Sequence, residues 1–323
     1  MPPPHPHILS ILDPTSLFGR ELVERVARVL PELRCRYLHT AGESEHLVVD
    51  VAGEPALVSP LVETDELDGS FAVAVAAPPP AELTARLLAW LRAHPEVRLL
   101  DCTQPGIAGN EARCVLSTPH GTRGPRAWYH LADPALAGPL RLVAALAPLD
   151  PEELHLTLIG PVSTFGAEAV DELAAQAAAR LSGNEARATE HLPGILAFDL
   201  RPAPGERPAA LEAQLGELVP AVAPRVQCAD AGVFHGHLAA VRVRCAREST
   251  VEQVRSLVRA GGGLRLARRN EQVNVSAAVD RDEVVCCDVR AGGRWVSAWT
   301  AADGLRIGGA SAAVDVLAAL LAS

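Results

Sequence analysis

Residues 11–23 read I-L-D-P-T-S-L-F-G-R-E-L-V, and they indicate the class of fold. The apolar residues of 7–12 are typical of a short buried strand, a polar turn follows, and the pattern over 20–30 indicates an amphipathic helix. A strand that passes through a tight turn into a helix is the opening unit of a parallel α/β sheet. The chain is therefore expected to begin with such a unit.

The same alternation continues through the first third of the chain. Apolar runs predict strands at 47–51, 71–76 and 97–102, and leucines on one face predict a helix at 81–94. Strands that alternate with helices indicate the α/β class, with a parallel, doubly wound sheet. We expect a Rossmann-like domain over residues 1–131.

After residue 132 the pattern becomes a mixture of helices and paired strands. We expect a second, α+β domain over 132–300, with residues 301–323 packing back onto the first domain. The predicted elements are helices at 139–147, 167–181, 250–260 and 311–321, and strands at 155–159, 233–245, 284–289 and 295–299.

Composition limits the class of protein. The chain has 323 residues, of which 49% are hydrophobic, so it is long enough to bury two cores. No apolar run reaches the ~18 residues of a membrane span, and residues 1–7 lack the features of a signal peptide, so a cytoplasmic location is expected. A net charge of −10 opposes nucleic acid and anionic membranes as partners.

The lysine and cysteine content of the chain excludes further kinds of reaction and site. All 29 basic residues are arginine, which excludes reactions that need a lysine amine, such as Schiff-base and P-loop chemistry. The seven cysteines are odd in number and scattered, which argues against a disulfide framework, and their spacing does not suggest zinc. We therefore expect no metal site.

Several segments resemble, in order and spacing, motifs of the aspartate-semialdehyde dehydrogenase family. Residues 162–173, V-S-T-F-G-A-E-A-V-D-E-L, resemble V-S-G-A-G-x-x-A-x-x-E-L of that family, and 303–310, D-G-L-R-I-G-G-A, resemble its D-N-L-R-K-G-A-A. Residues 11–23 and 228–241 are similar to its opening glycine motif and to its histidine motif.

Within the family the chain most resembles the Usg-type paralogues, which depart from the active-site motifs. The resemblance implies a Rossmann-like NAD(P)-binding-type domain, a second domain that forms a homodimer, and a dehydrogenase of amino-acid biosynthesis.

The family's reaction needs a cysteine thiolate that attacks the aldehyde carbon. The resemblance places this nucleophile among Ala135, Leu136 and Ala137, none of which can bond covalently to carbon. No cysteine lies between Cys114 and Cys228, so an error of register cannot supply one. The chain is therefore expected to lack the nucleophile of the inherited reaction.

The other catalytic positions are also altered, apart from one histidine. The resemblance places the assisting glutamine at Gly160 and the substrate-binding arginine at Asp230, whose charge would repel a carboxylate. His237 takes the position of the acid/base histidine, although a half-buried, hydrogen-bonded histidine is the simpler interpretation. Cys228 could replace the thiol only if the fold brought it to His237, and a metal held by His235 and His237 would lack a third ligand.

The first loop also departs from a dinucleotide site, in which glycines let the backbone approach the pyrophosphate. The family's first glycine falls at Asp13 and its middle glycine at Ser16. Asp13 is expected to place a carboxylate where the pyrophosphate would sit, and Pro14 removes an N–H donor. Thr15 and Gly19 are the remaining candidates for cofactor binding, and Gly19 also has a purely structural explanation.

Two further segments weaken the case for NADP. Residues 78–80 are three prolines where the family carries a glycine-rich loop against the cofactor. After the second strand the chain supplies Glu43 and Glu45, with no arginine for a 2′-phosphate. We expect no cofactor, and NADP only if the family property survives.

These losses lead to one expectation with two alternatives. The expectation is a catalytically inactive homologue that acts as a binding or assembly protein, forms a homodimer and could hold a small anionic metabolite in the old site. One alternative is a functional NADP-dependent semialdehyde dehydrogenase of amino-acid biosynthesis. The other is an enzyme of altered chemistry that uses His237, with Asp230 or Glu168.

Overall fold

The described part of the chain forms two compact units. One unit consists of the described residues of Met1–Ala132 and Gly309–Ser323, and the other consists of Asp133–Gly308. No helix within the described part is both long and apolar enough to traverse a bilayer. The computed structural model describes residues 7–41, 46–116 and 127–322.

Each unit is built around its own sheet. The first unit begins with β1 (Ile8–Leu12), α1 (Leu17–Val29), β2 (Arg34–His39), β3 (Leu47–Val51), β4 (Glu54–Pro60), β5 (Ser70–Val75), α2 (Ala81–Ala93), β6 (Arg98–Asp101), β7 (Arg113–Val115) and β8 (Trp128–Leu131). The second unit contains α3 (Ala137–Ala145), β9 (Pro151–Gly160), α4 (Ala167–Leu181), β10 (Leu200–Pro202), α5 (Glu206–Leu218), β11 (Ala223–Ala231), β12 (His237–Cys245), α6 (Val251–Ala260), β13 (Leu264–Leu266), α7 (Val275–Ala278), β14 (Val284–Gly292) and β15 (Trp295–Ala302). The last helix, α8 (Ser311–Leu321), belongs to the first unit.

The first unit has a doubly wound sheet. Among the described residues its eight strands follow the order β3-β4-β2-β1-β5-β6-β8-β7, and they run parallel except for the β3–β4 hairpin at one edge. Alternate side chains of β5 enter two different cores: Ala72 and Ala74 pack with α1 and α8, whereas Val73 and Val75 pack with α2. A sheet buried on both faces by helices is the predicted α/β arrangement, and the fold class is confirmed.

The second unit has a mixed sheet that helices cover on one face. Its seven described strands follow the order β10-β11-β9-β12-β15-β14-β13. Helix α3 packs on β12, β14 and β15, and α6 packs on β14. Along β12 the buried Ala239, Val241 and Val243 alternate with the half-buried Ala240 and the exposed Arg242. This period of two leaves one face of the sheet open in the single chain.

The sequence located most of the long apolar elements and missed the polar ones. Helices 167–181 and 311–321 are confirmed, and 284–289 and 295–299 lie in the antiparallel pair β14–β15.

The prediction for 233–245 was wrong at its start, because a turn occupies 233–236, where Gly236 has φ +87°, and β12 begins at His237. Helix α1 begins before the predicted residue 20 because Ser16 caps it. Strand β11 and helix α5 were not predicted, since charged residues interrupt their apolar pattern.

A buried carboxylate holds the long irregular segment 182–199 onto α4. Glu172 accepts hydrogen bonds from the Thr189 N–H at 2.8 Å, the Thr189 hydroxyl, the Leu192 N–H at 3.1 Å and the Gln176 amide at 2.9 Å. Burial acts to raise the pKa of Glu172, but the hydrogen bonds from Thr189, Leu192 and Gln176 outweigh it, and the pKa is lowered. The ionised carboxylate is therefore the form that fixes this segment.

Replacing this carboxylate by an amide is expected to destabilise the fold. Glu172→Gln should lower the free energy of unfolding by about 2–3 kcal/mol, because an amide NH₂ cannot accept the bonds that a carboxylate oxygen accepts. Because the folded-state pKa is lowered, the contribution is present above the ordinary glutamate pKa and is lost as the pH falls through the folded-state pKa. Urea denaturation at several pH values measures it, with the exposed Glu168→Gln on the same helix as control. Equal stability of the two variants at neutral pH contradicts the role assigned to Glu172.

Candidate functional site

The polar residues of the second unit meet where three strands reach the same level of the sheet. Gly160 at the end of β9 pairs with Asp230 near the end of β11. Leu238 pairs with Ile159, which sets His237 at the level of Gly160 at the start of β12. The register therefore gathers the three positions that the resemblance assigns to glutamine, arginine and histidine.

The turn that leads into α3 contains no reactive side chain. Asp133 caps it: its carboxylate accepts from the Ala135 N–H at 2.8 Å, and its own N–H donates to Gln214 at 2.8 Å. Ala135, Leu136 and Ala137 are all buried, and Leu136 has no exposed surface. A helix N-terminus lowers the pKa of a cysteine and so favours its thiolate. Here that place is filled by apolar side chains.

His237 is buried without a hydrogen bond. Only 6% of its surface is exposed, and neither ring nitrogen has a hydrogen-bond partner within the described ranges. Its ring packs so closely on Gly304 that a Cβ there would lie 2.4 Å from it. Burial lowers the pKa of His237 to about 4, Asp133 opposes the shift and Arg207 adds to it. The imidazole is neutral at pH 7, and its pKa is far from the range that suits a general base.

An internal ion pair occupies the position assigned to the substrate-binding arginine. The Arg207 guanidinium on α5 donates to the buried Asp230 carboxylate at 3.1 Å, and Arg201 Nε lies 3.8 Å from its other oxygen. Burial raises the pKa of Asp230, and the two arginines oppose the rise. Arg207 also fills the space over Gly160, because a Cβ at Gly160 would lie 3.3 Å from Arg207 Nη2. The charge that was expected to repel a carboxylate is thus paired with two guanidinium groups.

No motif or spacing in the sequence marked Arg201 or Arg207 as site residues. Arg207 lies in the unpredicted α5, and Arg201 lies in the three-residue β10. Both reach the site only through the tertiary fold. The exposed Glu168, named with Asp230 as a partner for His237, lies in the first turn of α4 instead.

The cysteines do not replace the missing thiol. Cys228 lies on β11, and β9 separates that strand from β12 and His237. Burial raises the pKa of Cys228 to about 11, so its thiol is protonated at neutral pH. Cys286 is a buried core residue whose pKa burial raises to about 12.

The two histidines do not share a strand face. His235 lies in the turn that precedes β12, so the two-residue spacing to His237 does not place both rings on one side of a strand. Within the part of the chain that the structure describes, no three His, Cys, Asp or Glu side chains are grouped to hold a metal ion.

In the first unit, Asp13 replaces the first glycine of the loop between β1 and α1. It has φ +56°, a conformation that favours glycine, and its carboxylate accepts from the Thr40 N–H at 2.7 Å and the Thr40 hydroxyl at 2.6 Å. The carboxylate therefore points to the end of β2, not to the pyrophosphate position that the sequence suggested. Thr40 is a suitable partner for the half-buried Asp13 carboxylate because it offers two hydrogen-bond donors.

The two remaining cofactor candidates have local structural roles. Gly19 lets α1 approach the loop, because a Cβ there would lie 2.3 Å from the carbonyl oxygen of Asp13. Its N–H donates at 3.0 Å to the hydroxyl of Ser16, which caps the helix. The Thr15 carbonyl accepts from Arg20 Nε at 2.9 Å. The packing of α1 accounts for all three contacts.

The described loops do not fit a dinucleotide. Pro14 and the three prolines of 78–80 lack the N–H donors that would approach phosphate, and the carbonyl of Pro79 already accepts from the Thr84 hydroxyl at 3.1 Å. Glu43 and Glu45 lie outside the described residues. Within the described ranges, these loops therefore offer few backbone donors for the phosphates of NADP.

Comparison with solved structures identifies the fold. The chain is similar to aspartate semialdehyde dehydrogenase II of Vibrio cholerae complexed with ASA, at 21% identity over 99% of both chains with a TM-score of 0.85. It is similar to a probable aspartate-semialdehyde dehydrogenase of Pseudomonas aeruginosa, at 24% identity over 98% of this chain and 99% of the other, with a TM-score of 0.87. The enzyme of Candida albicans with NADP matches at 14% identity over 98% and 99% of the two chains, with a TM-score of 0.71. No family model and no curated protein matches the chain.

The chain is thus an α/β protein with two compact units. Its fold is that of the aspartate-semialdehyde dehydrogenases, as the resemblance implied. At these identities the comparison establishes the fold and leaves the activity to the residues of the site.

The contact between Asp13 and Thr40 gives a stability prediction. Asp13→Ala should lower the free energy of unfolding by about 2–4 kcal/mol, because it leaves the buried Thr40 N–H unsatisfied and puts alanine in a left-handed conformation. Asp13→Gly loses the same hydrogen bonds but tolerates the backbone, and it should be about 1 kcal/mol more stable than the alanine variant. Urea denaturation compares the two. An alanine variant as stable as the glycine variant contradicts the assignment.

Proposed function

We propose that this chain is a catalytically inactive relative of the aspartate-semialdehyde dehydrogenases that serves as a binding or assembly protein. The observation that carries the proposal is the turn into α3, where the fully buried Leu136 lies in the region of the lost thiol. An isobutyl group cannot form the covalent intermediate through which a thiol-dependent dehydrogenase works.

Three further features support the loss of activity. Burial lowers the pKa of His237 to about 4, so its imidazole is neutral at neutral pH. Asp230 is paired with Arg207, so the assigned substrate position carries an internal ion pair. Among the residues that the structure describes, Asp13 is bound to Thr40 and the prolines of 78–80 lack N–H donors for the phosphates of NADP. A conventional dehydrogenase would need all of these functions at once.

The remaining polar groups support a binding role. Arg201 and Arg207 place two guanidinium groups around the single carboxylate of Asp230, and both are partly exposed. Because the two guanidinium groups share a single carboxylate, they still have N–H groups that can bind an anion. We therefore propose that the old site holds a small anionic metabolite.

An activity assay tests the proposal directly. The purified chain is given aspartate semialdehyde, phosphate and NADP, and NADPH formation is followed beside the Vibrio cholerae enzyme as positive control. We expect no turnover, and no rise in melting temperature when NADP or NAD is titrated alone, because a ligand that binds the folded state must raise it. Turnover within about tenfold of the control enzyme would overturn the proposal.

The variant His237→Ala distinguishes an inactive protein from one of altered chemistry. In an inactive protein the imidazole is only a packed core group, so the substitution should lower the melting temperature and abolish no activity. An activity found in a broad substrate screen that His237→Ala removes without loss of stability would favour the altered enzyme.

The open face of the second unit supports self-association. Ala240 lies between Thr157 and Trp299 at the centre of this face, and Trp295 lies further along β15 beneath the Arg242 guanidinium, 4.3 Å from the ring centroid. The face forms a concavity of about 680 Å³ lined by apolar and polar side chains. Half-buried tryptophans on an uncovered sheet are typical of an interface, and we propose that a second copy of the chain covers them.

A charge placed at the centre of this face should prevent the association. We expect the wild type to be a dimer in sedimentation velocity, and Ala240→Arg to be monomeric with an unchanged far-UV spectrum, because an unpaired charge cannot be buried between two sheets. Val48→Arg, at an exposed position of β3, is the control and should remain dimeric. A monomeric wild type, or a dimeric Ala240→Arg variant, contradicts the interface.

A further inference from the structure

Three of the chain's five phenylalanines are exposed in one region of the second unit. Phe165, Phe198 and Phe234 expose 38%, 65% and 44% of their surface. Aromatic residues make up only 3% of the chain, so these three are a large share of its aromatic side chains. A group of exposed large apolar side chains marks a site of interaction.

Backbone hydrogen bonds join the segments that carry these rings. The Ser163 N–H donates to the Phe234 carbonyl at 3.1 Å, which links the segment of Phe165 to that of Phe234. The Gly232 N–H donates to the Asp199 carbonyl at 3.0 Å, which links the segment of Phe198 to the same turn. The three rings therefore lie on neighbouring loops at one end of the sheet, and we call them the phenylalanine rim.

The rim lies beside the polar residues of the old active site. Each of its rings is within five positions of a member of that site: Phe165 of Gly160, Phe198 of Arg201 and Phe234 of His237. Gly160 and Arg201 both pair with Asp230 in the sheet register. The apolar rim and the guanidinium groups thus belong to one end of the same strands.

The fold holds the backbone of Phe198, which carries the most exposed of the three rings, in a strained conformation. Phe198 has φ +61°, in the left-handed region that phenylalanine rarely adopts. The side-chain oxygen of the buried Gln176 accepts from the N–H groups of Leu196 at 2.9 Å and Ala197 at 3.3 Å, immediately before Phe198. Strain that the surrounding structure maintains is concentrated at binding and catalytic sites.

The polar side of this region is formed by two partly exposed guanidinium groups. Arg201 and Arg207 share one carboxylate, so the pair of guanidinium groups carries one positive charge beyond that of Asp230. Arg201 also donates to the carbonyl of Pro193. Both nitrogens of His237 are buried, so the imidazole is not available to a ligand.

We infer that the phenylalanine rim and the two arginines form a binding site for a small aromatic carboxylate. The anionic group binds Arg201 and Arg207, and the ring packs among the phenylalanines. This inference names the ligand class of the binding role proposed above and rests on that role. A small polar substrate would leave the rim uncovered, whereas an aromatic acid uses both parts of the site.

The first test uses three matched probes and the full-length protein. 3-Phenylpropionate has both the ring and the carboxylate, propionate lacks the ring, and 3-phenyl-1-propanol lacks the charge. Isothermal titration and thermal denaturation measure binding of each. We expect 3-phenylpropionate to bind at least about tenfold more tightly than either partial probe and to raise the melting temperature. Equal binding of the three probes, or no binding of any, overturns the inference.

The second test assigns the binding to the rim. Phe198→Ala and Phe234→Ala should each weaken 3-phenylpropionate binding at least about fivefold, and Arg201→Met should weaken the carboxylate probe without weakening the alcohol. Leu181→Ala removes an apolar side chain that is 78% exposed on α4, and it should leave binding unchanged. If the rim variants only abolish self-association and leave probe binding intact, a second copy covers the rim and the inference is wrong.

The outcomes separate this inference from the proposed function. NADP-dependent turnover would overturn the inactive assignment and would leave the equilibrium binding of 3-phenylpropionate to be judged by itself. A chain that shows no turnover and binds none of the probes would retain the proposed loss of activity and lose this ligand class.

Discussion

The second unit depends on the neutralisation of one buried charge. Asp230 is 1% exposed, and a carboxylate in such a place is stable only with a close counter-charge. Arg207 supplies that charge at 3.1 Å, and it fits because Gly160 has no side chain to exclude the guanidinium. One ion pair therefore fixes α5 over the sheet and occupies two positions that the resemblance assigns to catalytic side chains.

The first unit shows the same principle. In a dinucleotide site the loop after β1 directs its backbone donors at phosphate. Here the Asp13 carboxylate binds both donors of Thr40, and Gly19 serves only to bring α1 against the loop. In both units, side chains at positions that the family uses to bind ligands form hydrogen bonds or ion pairs with other groups of the same chain. His237 is the exception, since it keeps its place and has no hydrogen-bond partner among the described residues.

The sequence was sufficient for the fold class and insufficient for the groups that surround Asp230. Long apolar periodicities predicted α4 and α8. Arg207 was missed because α5 has a mixed charge pattern and because its partner Asp230 lies 23 positions away. The direction of the Asp13 side chain depends on Thr40 of the neighbouring strand, and no local pattern in the sequence encodes that contact.

We propose that this chain has lost covalent aldehyde chemistry while its fold is maintained. Intact-protein mass spectrometry after incubation with aspartate semialdehyde and NADP, quenched without added phosphate, tests it most directly. We expect an unchanged mass, because the buried residues at the start of α3 carry no nucleophile and the thiol of Cys228 is protonated. An acyl adduct on any side chain, located by peptide mapping, would contradict it.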